Sequence, residues 1–216
     1  MTEESNIFQQ IKQEWIEAGL IEDGPPPAPR TEEQERELIR AQLRAQRLTR
    51  FKETCPAEFR RKIDLSLVPN LQAWEEADLW QGTYPGLWLW SHESGRGKTR
   101  MLWRKFGYLH CDLGKSVLKL TGQALAEEYF RYHMDGNPRG FYGFLSRFDV
   151  IMLDDFDKID LSDRRAPRMA REIFDEFYSR RQVILVTANE SANFFEKRVG
   201  LSMGRRIREV VTEIKF

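Results

Sequence analysis

The chain has 216 residues, 41% of them hydrophobic, with 34 basic and 34 acidic side chains and a formal net charge of +0. That length supports one sizeable core once a polar tail is set aside, and the balanced charge confines any nucleic-acid contact to local patches. No apolar run approaches the roughly 18 residues of a membrane span, the acidic start Met1-Thr2-Glu3-Glu4-Ser5 lacks a signal-peptide core, and Cys55 and Cys111 stand without C-x-x-C spacing, so a reduced, cytoplasmic setting is expected.

Residues 5–20 read as an amphipathic helix, with Ile7, Phe8, Ile11, Trp15 and Ile16 at helical spacing. Gly24-Pro25-Pro26-Pro27-Ala28-Pro29 then breaks any helix and reads as a stiff polyproline linker over 24–29. An apolar helix ahead of such a linker either docks on a partner or folds back on its own domain, and the pattern alone names neither. A second helix is expected over residues 31–50, capped by Thr31 and carrying Glu32, Glu33 and Glu35 in its first turn, where they complement the helix dipole. Arg36, Arg40, Arg44 and Arg47 fall on one face, with Leu38, Ala41, Ala45 and Leu48 opposite. The basic stripe is either a contact for nucleic acid or an acidic partner, or a solvated face laced with Glu–Arg pairs, and the second reading is preferred. Residues 1–54 are thus expected to form a helical extension ahead of a domain at 55–216. Trp74 and Trp80, in the lead-in to that domain, are expected to pack in the core, with an adenine-covering role as the alternative.

From residue 86 strands and helices alternate. Strands are predicted at Leu87–Trp90, Val117–Leu120, Val150–Leu153, Val183–Val186 and Val210–Phe216, with helices after the second strand and near 167–180. The first, third and fourth strands are nearly all apolar, as parallel strands covered on both faces are. The last alternates polar and apolar residues, as an edge strand does. A three-layer α/β domain on a parallel sheet follows.

Between the first strand and the next helix lies Ser91-His92-Glu93-Ser94-Gly95-Arg96-Gly97-Lys98-Thr99. Strand, glycine loop, then Lys-Thr opening a helix is the layout of a phosphate-binding loop. Gly95 and Gly97 permit the tight turn that lets successive backbone N–H groups, from Ser94 to Thr99 with Arg96 among them, converge on phosphate oxygens. The helix behind them adds its positive end. Lys98 has the reach for β- and γ-phosphates, and the Thr99 hydroxyl is a candidate Mg²⁺ ligand. His92 stands where the usual G-x-x-x-x-G-K-[ST] pattern has its first glycine.

Three further places carry chemistry. The third strand ends in Asp154-Asp155, where a nucleotide hydrolase holds its metal; Asp154 is the candidate Mg²⁺ ligand and Asp155 the group that orients or deprotonates the attacking water. The fourth strand ends in Thr187-Ala188-Asn189, which sets Asn189 near a γ-phosphate or the water, with a turn-forming Asn as the alternative. Near the end, Gly204-Arg205-Arg206-Ile207 offers an arginine that cannot easily reach its own site but can reach a neighbour's, or else a basic helix face. Tyr129-Phe130-Arg131-Tyr132 and Arg139-Gly140-Phe141-Tyr142-Gly143-Phe144 mix aromatics with arginine as single-strand binders do, although Phe130, Phe141 and Phe144 are expected to be core. His92, His110 and His133 show no metal-ligand spacing.

Lys98-Thr99, Asp154-Asp155, Thr187-Ala188-Asn189 and Gly204-Arg205-Arg206-Ile207 fall in the order and spacing of the AAA+ ATPases. The chain most resembles the bacterial replicative-helicase loaders (DnaC-like) and the related IstB-like transposition helpers; Cys55-Pro56 and the G-x-G-K-T loop are similar too. The likeness spans roughly residues 55–216. It implies a sheet in 5-1-4-3-2 order, ATP with Mg²⁺, nucleotide-dependent head-to-tail assembly of copies of the chain, and work on single-stranded DNA with a replicative helicase or a transposase. By that likeness Asn189 is the first sensor and Arg206 the finger offered to a neighbour, with Arg205 the alternative. Asp155 stands where many AAA+ members carry Glu, and its shorter arm is expected to slow hydrolysis. With the sequence ending at Phe216, the helical C-terminal lid and its sensor arginine are not expected, either as a native short form or through truncation. The leading expectation is an ATP-dependent, helicase-loader-like replication accessory. The alternatives are a transposition helper, a non-hydrolysing nucleotide switch and, more weakly, a small-molecule kinase.

Overall fold

The computed structural model describes residues 13–15, 17–18, 30–160, 165–199 and 204–216. Gln13 to Trp15 are helical; the rest of the expected helix over 5–20, apart from Glu17 and Ala18, and the linker at 24–29 lie outside the described residues. By contacts the chain divides into Met1–Arg40 and Ala41–Phe216. The division falls inside helix α1, Glu32–Thr54. In the first unit, Gln34 N donates to Thr31 Oγ1 at 3.3 Å and Thr31 N donates to Gln34 Oε1 at 3.0 Å, a reciprocal capping box that satisfies two of the helix's orphan donors. Arg36 pairs with Glu32 at 3.3 Å, and α1 buries none of its residues, in keeping with a solvated face.

In the second unit, α1 continues four residues past the predicted end. Phe51 there stacks on Phe106 and meets Trp103 edge-on, and Arg44 forks onto Asp112 at 2.9 and 2.6 Å. After it come α2 (Ala57–Arg60), a 3₁₀ turn at Leu65–Leu67, α3 (Leu71–Leu79), β1 (Gly86–Trp90), α4 (Lys98–Gly107) with a π-helical end at Tyr108–Asp112, β2 (Val117–Thr121), α5 (Gly122–Met134), α6 (Pro138–Leu145), β3 (Val150–Asp154), a 3₁₀ turn at Phe156–Lys158, α7 (Ala166–Arg180), β4 (Val183–Ala188), α8 (Ala192–Val199), α9 (Gly204–Val210) and β5 (Val211–Lys215). The five strands form one parallel sheet in the order β2-β3-β4-β1-β5, the expected order read from the other edge.

Strand alternation splits the apolar residues between two cores, one on each face. Trp88, Ile151, Leu153, Ile184 and Val186 point to a core completed by α5 to α9. Leu87, Leu89, Val150, Met152 and Leu185 point to the other, completed by Trp74, Met101, Leu102, Trp103 and Phe106. The central strands β3, β4 and β1 are therefore buried along most of their length, with Asp154 and Thr187 the polar residues at their C-terminal ends, whereas β5 at the edge buries Val211 toward the first core and Ile214 toward the second. The aromatic stretches on α5 and α6 pack as expected. Phe141 is fully buried and meets Tyr129 edge-on at 5.4 Å, and Phe130 and Phe144 are partly buried against the same core.

Trp88 anchors the first core. It is fully buried, its ring lies 5.8–6.4 Å from Phe156, Phe174 and Phe195, and its Nε1–H donates to Glu190 O at 2.9 Å. Trp88→Ala leaves a large cavity and an unpaired carbonyl, so it should cost about 3–5 kcal/mol. Urea unfolding followed by circular dichroism measures this; a midpoint within error of the wild type would show that this core is not what holds the sheet.

Candidate nucleotide site

The register of the sheet builds the site. Trp90 pairs with Ala188 and Leu153 with Val186, so the C-terminal tips of β1, β3 and β4 end side by side. A ligand site at the carboxyl edge of a parallel sheet is the general rule for such folds. Between β1 and α4 the chain turns through Gly95 at φ +76° and Gly97 at φ +97°, values an L side chain rarely adopts. A Cβ on Gly97 would also lie 3.4 Å from the ring of the buried Trp74, which backs the loop. His92, in place of the first loop glycine, is not among the positive-φ residues, so the turn there does not require glycine; its ring stands edge-on to Trp90.

Lys98 opens α4 and is itself buried, which fixes its head group in the loop. Its Nζ donates to Ser91 O at 3.0 Å, Glu93 O at 3.2 Å and Asn189 Oδ1 at 3.2 Å. All three acceptors are uncharged. Burial pushes the Lys98 pKa down, and the nearby Asp157 and Asp155 carboxylates oppose that. A partly desolvated ammonium held only by neutral oxygens suits an incoming anion.

Thr99 Oγ1 donates to Asp154 Oδ1 at 3.0 Å. These two oxygens are hard donors of the kind Mg²⁺ takes. The buried Thr187, opposite Asp154 in β4, donates to the same Asp154 Oδ1 at 2.6 Å and accepts from Asp155 N at 3.0 Å, so one hydroxyl fixes the Asp154 carboxylate and the Asp155 backbone. Asp155 sits at φ +50°, a strained backbone that the short Asp side chain tolerates. Its Oδ2 accepts from Lys158 Nζ at 2.6 Å. On the other side of Asp154, Lys119 Nζ lies 3.4 Å from Oδ2.

A cleft of about 640 Å³ opens here, lined by Phe59, His92, the loop from Ser94 to Arg100, Asp155, Lys158 and Asn189; Asp154 and Thr187 stand behind it, with Asp154 hydrogen-bonded to both Thr99 and Thr187. The size suits a nucleotide-scale ligand, within the roughly 300–1,000 Å³ of small-molecule sites. Two glycines in left-handed turns, a lysine with neutral partners and a Thr–Asp oxygen pair fit a nucleotide triphosphate with a divalent cation. The structure thus brings together Ser94, Gly95, Arg96, Gly97, Lys98, Thr99, Asp154, Asp155 and Asn189. Arg96 in the loop is paired with Glu93. Arg206 is not among the residues lining the cleft. It lies on α9, and its guanidinium pairs with Asp175 of α7 in the same chain. The side chain of Arg205 lies outside the described residues. Of the two tryptophans, Trp74 packs in the core, and Trp80 donates from Nε1 to Thr83 O at 3.0 Å.

The sequence assigns no role of its own to Thr187, Lys119 or Lys158. Lys119 did carry a signal, a single charge inside the apolar run Val117-Leu118-Lys119-Leu120; Lys158, three residues after Asp155, carried another.

A five-stranded parallel sheet in this order, with a glycine loop after β1 and paired aspartates at the tip of β3, is a P-loop fold. Solved structures agree on that fold. The chain superposes on the DnaC helicase loader with a TM-score of 0.58 at 15% identity, over 74% of this chain and 99% of that one. It superposes on DnaI with a TM-score of 0.51 at 18% identity, over 74% of this chain and 90% of that one. The replication initiator DnaA bound to AMPPCP and single-stranded DNA matches with a TM-score of 0.53 at 17% identity, over 68% of this chain but only 45% of the other, so this chain spans less than half of that relative's length. No protein-family model matches the sequence, and no curated protein matches it.

Proposed function

We propose that the chain binds ATP with Mg²⁺ and hydrolyses it, as a helicase-loader-like accessory of DNA replication. One observation carries the reading: at the tips of three neighbouring strands, Lys98 reaches Asn189 at 3.2 Å and, at the next residue, Thr99 reaches Asp154 at 3.0 Å. In this reading the loop N–H groups from Ser94 to Thr99 and the Lys98 ammonium bind the phosphates, and Thr99 and Asp154 hold the metal. Bound Mg²⁺ would supply neutralisation of phosphate charge. Asp155 accepts the proton of the attacking water, Asn189 orients that water or the terminal phosphate, and Thr187 keeps the Asp154 carboxylate and the Asp155 backbone in position. The hydrolytic group is short-armed and sits in a strained turn, so turnover is slow. Arg206 of a neighbouring copy supplies charge from outside, which couples hydrolysis to assembly. The likeness to the DnaC helicase loader, and to a DnaA solved with AMPPCP and single-stranded DNA, supports a replicative helicase and single-stranded DNA as partners over a transposase.

Residues 1–54 act as the extension that grips the helicase, ahead of the ATPase domain at 55–216, through the apolar side chains that the sequence spaces at Ile7, Phe8, Ile11 and Trp15. A pulldown of the host's replicative helicase by the full chain and by a chain lacking residues 1–30, each with and without ATP, tests this. Removing 1–30 should abolish helicase capture and leave ATP affinity within about twofold, because the residues lining the cleft run from Phe59 to Asn189. Equal capture by both forms would move the helicase contact elsewhere.

A further inference from the structure

The two aspartates at the tip of β3 each face a lysine, and the two lysines differ in freedom. Lys119 Nζ is held between Asp154 Oδ2 at 3.4 Å and the Trp103 ring at 4.9 Å, with 17% of its side chain exposed. Lys158 is 61% exposed, pairs with Asp155 across one turn, and lines the cleft together with Lys98 and Asn189. Exposed pairs of this kind contribute little and are readily exchanged. A terminal phosphate offers a lysine more charge and more acceptor oxygens than one carboxylate does.

We propose that Lys158 is a further phosphate-binding residue, which exchanges its Asp155 partner for the terminal phosphate of a nucleoside triphosphate and thereby frees the Asp155 carboxylate. The inference rests on the ATP-site reading above. Lys158 and Asp155 share the turn that follows β3 and line the cleft together with Lys98 and Asn189, so Lys158 adds a second ammonium at the terminal phosphate beside the Lys98 of the loop. Before the nucleotide enters, the Lys158 ammonium on Asp155 Oδ2 competes with the attacking water for the carboxylate and holds it in its turn; afterwards that competitor is gone. The residue makes hydrolytic competence depend on a triphosphate being present, and it separates ATP from ADP.

Calorimetric titration of the full chain with ATP and with ADP, both with Mg²⁺, tests the exchange in the wild type and in Lys158→Met, Lys158→Gln, Asp155→Asn and the Asp155→Asn/Lys158→Met double variant. Both lysine replacements should weaken ATP about 5- to 10-fold, the size of one charge-assisted contact, and leave ADP within about twofold. Asp155→Asn should tighten ATP severalfold, and that gain should vanish in the double variant, because it comes from a lysine released from its internal partner. An unchanged ATP:ADP ratio in both lysine variants, or an Asp155→Asn gain that survives loss of Lys158, overturns the exchange. If the wild type binds ATP and Lys98→Ala abolishes binding while the Lys158 variants change nothing, the exchange alone falls. If the folded wild type binds no nucleotide, the exchange and the ATP-site reading fall together.

Discussion

Lys98→Ala should lower ATP affinity by about 100-fold or more, roughly 3 kcal/mol, and leave the fold intact. The two halves of that expectation have separate causes. The loss comes from the ammonium, which is the main point charge the loop can offer to phosphate oxygens. The intact fold follows from the surroundings of Lys98. Its partners Ser91 O, Glu93 O and Asn189 Oδ1 are neutral, and its own burial disfavours the charge, so deletion removes a desolvated cation rather than half of a buried ion pair. Thermal unfolding and a nucleotide titration on the same sample separate the two effects. A folded variant that keeps wild-type ATP affinity would remove the phosphate-loop assignment.

Arg206→Ala should bind ATP as the wild type does and hydrolyse it about 10³-fold more slowly, the scale of an arginine finger. Arg206 does not line the cleft of its own chain and is partly exposed, paired with Asp175. A role in catalysis therefore requires it to leave Asp175 for the site of a neighbouring copy, and specific activity should rise with protein concentration. Mixing Arg206→Ala with Lys98→Ala makes the test sharper. Each variant lacks a different half of a composite site, so mixed assemblies rebuild sites in which an intact Lys98 faces an intact Arg206. Recovery of hydrolysis supports the trans role. Co-assembly without recovery assigns Arg206 to the structural pair with Asp175, and Arg205→Ala then takes the same test.

How far the sequence discloses this molecule depends on where each signal resides. β1, β3 and β4 are legible because they lie in the middle of the sheet, where both faces are covered and every residue from 150 to 153 is apolar. The loop, the aspartates and Asn189 are legible because each is a short contiguous motif. α6 is not. Its Gly140 and Gly143 oppose helix formation, and it is held by Asn137, whose Oδ1 accepts from Gly140 N at 3.0 Å, and by the buried Phe141. The end of α1 is a similar case, carried past residue 50 by the packing of Phe51 on Phe106. Within the site, the groups that fix or neutralise the aspartates were hidden for a different reason. Thr187 reaches Asp154 through strand register, and Lys119 does so across β2 and β3, relations between residues 33 and 35 positions apart that no local pattern contains.

Calorimetric titration of the full chain with ATP, first with Mg²⁺ and then with the metal chelated, tests the nucleotide site most directly. The expected result is saturable binding at one site per chain with a dissociation constant on the order of micromolar, weakened about tenfold or more when Thr99 and Asp154 have no metal to hold. A folded protein that takes up no ATP under either condition would contradict it.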